Sequence, residues 1–177
     1  MTKRQFYDWQ TAGGADDVTR MVTALEQAGV PWCAIGGVAV NHWAQEPMVT
    51  RDVNFVVATP DIERAIAALS TAGFRAERHA WSVNFVGQSS VSLQLSTEKF
   101  YHEFPARAVA ADVHGILLRV AALEDTLAGK LKALSAPERR PSKRLKDLAD
   151  VARLVEAHPR LAATLSPEIR RQIAGPA

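Results

Sequence analysis

Two periods of hydrophobicity run along this chain. Val18, Met21, Val22 and Leu25 recur at helical spacing up to Gly29, which predicts an amphipathic helix with a glycine stop. The stretch VPWCAI, residues 30–35, is instead apolar at nearly every position and ends at Gly36 and Gly37, so a short buried strand is expected to run into a sharp turn. VAVNHWAQ, residues 38–45, predicts the next helix, and TRDVNFVV, residues 50–57, a second strand. Thr59, with Pro60, Asp61 and Glu63 behind it, has the chemistry of a helix cap and first turn, and that helix is expected to stop at Gly73. Further extended segments are predicted near residues 74–78, 82–86, 91–95 and 115–120. Helices and strands interleave, which gives an α/β (α+β) class with a mixed sheet flanked by helices.

From Leu123 the pattern changes. LEDTLAGKLKALSAPERRPSKRLKDLADVARLVEAHP is helical in period, broken at Pro137 and Pro141, and carries no strand signal. Leu127, Leu131 and Leu134, then Leu148, Val151 and Leu154, form apolar stripes that need cover. The expectation is an α/β core over residues 1–122 and a C-terminal helical lobe over residues 123–177 packed on it, with one more short helix after Pro167. Asp147 and Asp150, with Lys143 and Lys146, read as pairs on a helix surface.

Composition narrows the setting. With 47% hydrophobic and 23% charged residues in 177, the chain is an ordinary globular sequence, and 21 basic against 19 acidic residues leave too little net charge for bulk attraction to nucleic acid or membrane. The dense basic run Arg139, Arg140, Lys143 and Arg144 is the exception, either a solvated face or a contact for RNA or nucleotide. One cysteine, Cys33, excludes an intrachain disulfide and reads as a small buried thiol. The amino terminus lacks the apolar core of a signal peptide, and no apolar run nears the ~20 residues of a spanning helix, so a cytoplasmic protein without membrane contact is expected. His42, His79, His102, His114 and His158 show no zinc-ligand spacing, and Trp32, Trp43 and Trp81 are expected in the core or a cleft wall.

The chemistry concentrates where the second strand begins. Alternation in a strand puts Asp52 and Asn54 on one face, and both are residues that strands avoid. Glycines at 36 and 37 let the backbone approach a phosphate, with the amide groups of the following helix start facing it. Two oxygens one residue apart on a neighbouring strand can bridge a divalent cation to phosphate. Each piece also has a plain reading, a strand-to-helix turn for the glycines and a solvated strand end for Asp52 and Asn54.

Taken together, IGGVAVNHWAQEPMVTRDVNFVV resembles the nucleotidyltransferase superfamily, in particular its branch of minimal nucleotidyltransferases and Abi-type type IV toxins. There a strand ends in Gly-Gly or Gly-Ser, and a segment like R-x-T-x-D-[IV]-D follows a short helix. The resemblance aligns Gly36 and Gly37 with the phosphate-facing turn, Thr50 with the family's Thr or Ser, and Asp52 and Asn54 with its two metal-binding aspartates. Met48 stands where the family often has Arg, and Ser92 where a third acid is usual. The annex is similar to the family's ending, in which a lysine faces the nucleotide; that role transfers to Lys130.

What the resemblance implies is a nucleoside triphosphate held by Gly36, Gly37, Thr50, Arg51 and Lys130, and nucleotidyl transfer to an RNA, protein or small-molecule hydroxyl with Mg2+ at Asp52 and Asn54, as in a toxin–antitoxin setting. Asn54 keeps an oxygen but not a charge, so Mg2+ binding is expected to be weak or absent. A second reading is a catalytically inactive protein of the same fold that binds a nucleotide or a partner. Glu46, Glu98 and Glu103 are the acids able to replace a missing ligand if the fold brings them in.

Overall fold

Alternation along the second strand, β2 (Asp52–Val57), organises the molecule: Val53, Phe55 and Val57 point into the main core, while Asp52, Asn54 and Val56 face the other way. The structure, a computed structural model, describes residues 1–44, 48 and 50–174. The described residues form a seven-stranded mixed sheet in the order β3-β4-β5-β2-β1-β7-β6. Its other strands are β1 (Trp32–Ile35), β3 (Arg75–Arg78), β4 (Ser82–Val86), β5 (Ser92–Ser96), β6 (Val109–Val113) and β7 (Ile116–Val120). The pairs β2/β5 and β1/β7 are parallel, and the remaining pairs are antiparallel. The mixed α/β class expected from the pattern is therefore the observed one.

Helix α2 (Gly14–Gln27) buries Val18, Met21 and Leu25, and α4 (Ile62–Thr71) buries Ala65, Ile66 and Leu69, all in one cluster with Trp32, Phe55, Phe85, Leu93 and Leu95 of the sheet. Across the sheet, Cys33 and Val56 meet Tyr101, Phe104 and Ala121. A further cluster joins Val40 and Ala44, in and just after α3 (Gly36–Trp43), to Leu127 and Leu134 of α5 (Leu123–Ser135) and Val151 and Leu154 of α6 (Pro141–Ala157). The expected stripes are thus covered, and α3 supplies part of the cover. The Trp43 indole N–H donates to the Ala121 carbonyl at 2.9 Å, tying α3 to the end of the sheet. Helix α7 (Pro167–Ala174) follows Pro167 as expected. Among the described residues, no helix is long and apolar enough to cross a membrane.

Several local expectations need correction. Thr59 does not cap a helix: Thr59–Asp61 form a 3-10 turn, α4 starts at Ile62, and the Thr59 N–H donates to His102 Nδ1 at 3.0 Å. Helix α3 already begins at Gly36, and Gln45 lies outside the described residues. Trp81 is no wall residue but 71% exposed, whereas Trp32 is fully buried. Two elements carried weak sequence signals. Helix α1 (Lys3–Thr11) starts with a reciprocal cap between Thr2 and Gln5, a spacing visible in the sequence. Strand β6 joins β7 through His114 and Gly115, both at positive φ, a two-residue hairpin turn of the His-Gly kind.

Candidate functional site

Gly36 sits at φ +65°, a conformation that suits glycine, and lets the chain turn from β1 directly into α3. A Cβ there would lie 3.4 Å from the Asn54 amide nitrogen, and one on Gly37 would lie 3.7 Å from Thr50 Oγ1. No side chain caps α3, so its first backbone N–H groups remain open to an anion. The turn opens on a cavity of about 300 Å³. Its sheet wall carries Asp52, Asn54, Gln94 and Ser96, the even-numbered face of β2 and β5, with Thr50 just before β2. Tyr101 and Phe104 close one side, and α5, α6 and their connection supply Lys130, Lys132, Arg139, Lys143 and Lys146.

The carboxylates in this cavity are not equivalent. Asp125 is held bidentately by Arg107, whose Nε and Nη2 donate to its two oxygens at 2.9 Å, and Glu98 is bonded to Lys132. Asp147 receives Lys130 at 3.1 Å and Arg139 at 2.6 Å. Lys130 also reaches Asp150 at 2.6 Å, and Arg153 reaches Asp150 at 2.9 Å and the Asn41 side-chain oxygen at 3.1 Å. Asp147 and Asp150 are each only 2% exposed and Lys130 is 7% exposed. The reading of the two aspartates as surface pairs is therefore corrected: they anchor a buried network that joins α3, α5 and α6. Asp52 differs, since its nearest cation is Lys143 at 4.0 Å and half of its side chain is in solvent.

The expected site residues come together in large part. Gly36, Gly37, Thr50, Asp52, Asn54 and Lys130 all line the cavity. Arg51 does not; it is exposed beside it. Of the acids held in reserve, Glu98 lines the cavity but is engaged with Lys132, Glu103 stays outside, exposed beside His102, and Glu46 lies outside the described residues. Ser92 is corrected as the position of the third acid. It pairs with Asp52 at the strand start and is exposed, whereas Gln94 pairs with Asn54 and lines the cavity. The Gln94 amide nitrogen donates to Asn84 Oδ1 at 2.8 Å. Arg139, Lys143 and Lys146 face the cavity, while Arg144 caps the end of α5 through the Leu134 and Ala136 carbonyls. Burial, and then the nearby Asp125, push the Cys33 thiol up to about 12, which makes it an inert core residue.

Residues 35–174 match the family described as nucleotidyl transferase AbiEii toxin of type IV toxin–antitoxin systems. The chain belongs to this AbiEii toxin family. The match runs from the end of β1 through the sheet, α5 and α6, and so includes every wall of the cavity. Solved structures carry the same fold. The antibiotic-resistance factor ANT(2'')-Ia superposes with a TM-score of 0.59 at 14% identity, over 86% of either chain. The lincosamide antibiotic adenylyltransferase LnuA, solved with lincomycin, gives 0.52 at 12% identity over 78% of this chain and 96% of its own. An antigenic nucleotidyltransferase-like protein from Paracoccidioides brasiliensis gives 0.52 at 17% identity over 89% and 84%. No curated protein sequence matches the chain. The AbiEii nucleotidyltransferase fold is thereby shown.

Proposed function

We propose that the cavity binds a nucleoside triphosphate and that this AbiEii-family chain is a nucleotidyltransferase-like protein whose transfer to an RNA, protein or small-molecule hydroxyl is slow. The observation that carries the binding is the uncapped Gly36–Gly37 turn, which opens on a cavity whose rim holds the largely uncommitted cations Lys143 and Lys146. Adenylyl transfer by LnuA, on the same fold, supports the reaction class. The family's toxin–antitoxin context supports an antitoxin partner and a cytoplasmic site of action.

The donor set does not fit two Mg2+ ions. Next to the glycine turn stand one carboxylate, Asp52, and two neutral amides, Asn54 and Gln94. Mg2+ favours hard charged oxygens and loses water reluctantly. Among the described residues, no three His, Cys, Asp or Glu side chains stand close enough to share a metal. A second reading compatible with this donor set is a nucleotide-binding protein without catalysis, and one experiment separates the two. Labelled nucleoside triphosphates, with the protein itself and bulk RNA as acceptors, are given to wild type, Asp52→Ala, and Asn54→Asp combined with Gln94→Asp. Slow transfer lost in the alanine variant, and Mg2+ binding gained in the double variant, support the enzyme reading. No transfer by wild type supports the binding reading; brisk transfer overturns the weak-metal argument. Binding itself is read from thermal stability, because a ligand of the folded state raises it by mass action. Absence of any shift at millimolar nucleotide, for wild type as for Gly37→Val, removes the cavity assignment.

A further inference from the structure

The cavity holds more protein cation than its own carboxylates use. Lys130 and Arg139 are committed to Asp147, and Lys132 to Glu98. Lys146 is exposed at the rim with no carboxylate in ion-pairing distance among the described residues. Lys143, one helical turn before it on α6, points its ammonium at Asp52 from 4.0 Å. In residue terms, a lysine ammonium faces the lone acid of the sheet wall, where the family resemblance puts a metal. The amides of Asn54 and Gln94 add no charge for a second cation.

Resting on the nucleotide-binding reading above, we infer that the polyphosphate is recognised without a divalent metal, by Lys143 and Lys146 at the open edge and the α3 backbone amides at the closed end. Each ammonium is a mobile point charge with three donors, suited to phosphate oxygens. Asp52 then acts in the opposite sense from a metal ligand. It competes with phosphate for Lys143 and repels the incoming anion, since like charges a few ångströms apart oppose each other.

That reversal of sign makes the inference testable. Affinities of ATP, GTP, CTP and UTP, and of inorganic tripolyphosphate, are measured by calorimetry in EDTA and again in Mg2+, for wild type, Asp52→Asn, Lys143→Ala and Lys146→Ala. The substituted side chains are at least partly exposed, so all four proteins are expected to fold. Wild type is expected to bind at least one nucleotide in EDTA, with no tightening by Mg2+ and a steep loss with salt. Asp52→Asn is expected to bind about threefold to tenfold more tightly in EDTA. Each lysine variant is expected to lose about tenfold. Binding that needs Mg2+ and vanishes in Asp52→Asn overturns the inference and leaves the nucleotide-binding reading standing. Binding in EDTA that neither lysine variant weakens also overturns it. No binding of any nucleotide in either buffer removes both.

Discussion

The sheet wall and the helical wall of the cavity handle charge differently. On the sheet side, Asp52, Asn54 and Gln94 offer one exposed carboxylate and two half-buried amides, held by few bonds. On the helical side, Lys130, Asp147, Asp150, Arg139 and Arg153 form a network in which each charge has a partner and the central three are buried. Burial makes the second set structural, because an ion taken out of water must be compensated where it sits. Exposure leaves the first set free to meet a ligand. A charged side chain lining a cavity is thus not a ligand contact by position alone: Lys130 lines it yet is spent on Asp147 and Asp150, while Lys143 and Lys146 keep most of their charge available.

The strongest way to break the comparison is to remove the helical wall. A chain ending at residue 122 loses the cover of Val40 and Ala44, one of the partners of the Asn41 side chain, Arg153, and the whole buried charge network. Each uncovered large aliphatic side chain costs about 1.5–3 kcal/mol. We expect a fragment of residues 1–122 to be insoluble or molten; a cooperative thermal transition with dispersed amide resonances would instead make the lobe a separable domain.

A single side chain sharpens it. Lys130→Met keeps the volume but leaves Asp147 and Asp150 with only their arginines, so a loss of about 3–5 kcal/mol is expected in urea denaturation. Lys143→Ala, with its partner half in solvent, is expected to change stability by less than about 0.5 kcal/mol. Equal losses in the two variants would erase the distinction between the walls.

The sheet wall was legible in the sequence, and much of the helical wall was not. Strand alternation places Asp52 and Asn54 on one face, and the paired glycines mark the turn. Gln94 carries no such local signal, because β2 pairs in parallel with β5, three strands later in the chain, and the register between distant strands is set by packing rather than by local pattern. Asp147 and Asp150 were misread because charges three and four apart usually lie on a helix surface. Yet positions 147, 150, 151 and 154 form a single stripe that also carries Val151 and Leu154, and two aspartates within an apolar stripe announce buried partners. Lys130 has the same signature, between Leu127 and Leu134 on α5.

The chain has two tyrosines, and they report on the two walls separately. Tyr7 lies under the sheet side, stacked on His114 at 4.9 Å, and burial first, then Asp52 and Asp8, push its hydroxyl up to about 12. Tyr101 lies on the cavity's aromatic side, and burial first, then Glu98, push it up to about 12 as well. Both are neutral in the fold and ionise near 10 when unfolded, so their contribution is complete below pH 10 and is lost as pH rises towards 12. Each tyrosine is worth about 2–3 kcal/mol over that window, since one unit is about 1.4 kcal/mol. Tyr7→Phe and Tyr101→Phe should each flatten part of the alkaline fall in stability. The smallest effect separates the walls: Asp52→Asn removes a charge that raises Tyr7 but is absent from the surroundings that shift Tyr101. Phenolate absorbance titration of that variant, with each tyrosine read in the background of the other's Phe variant, should lower the midpoint of Tyr7 and leave Tyr101 in place. Movement of both midpoints together would mean that the two walls share one electrostatic environment, and the distinction drawn between them would fail.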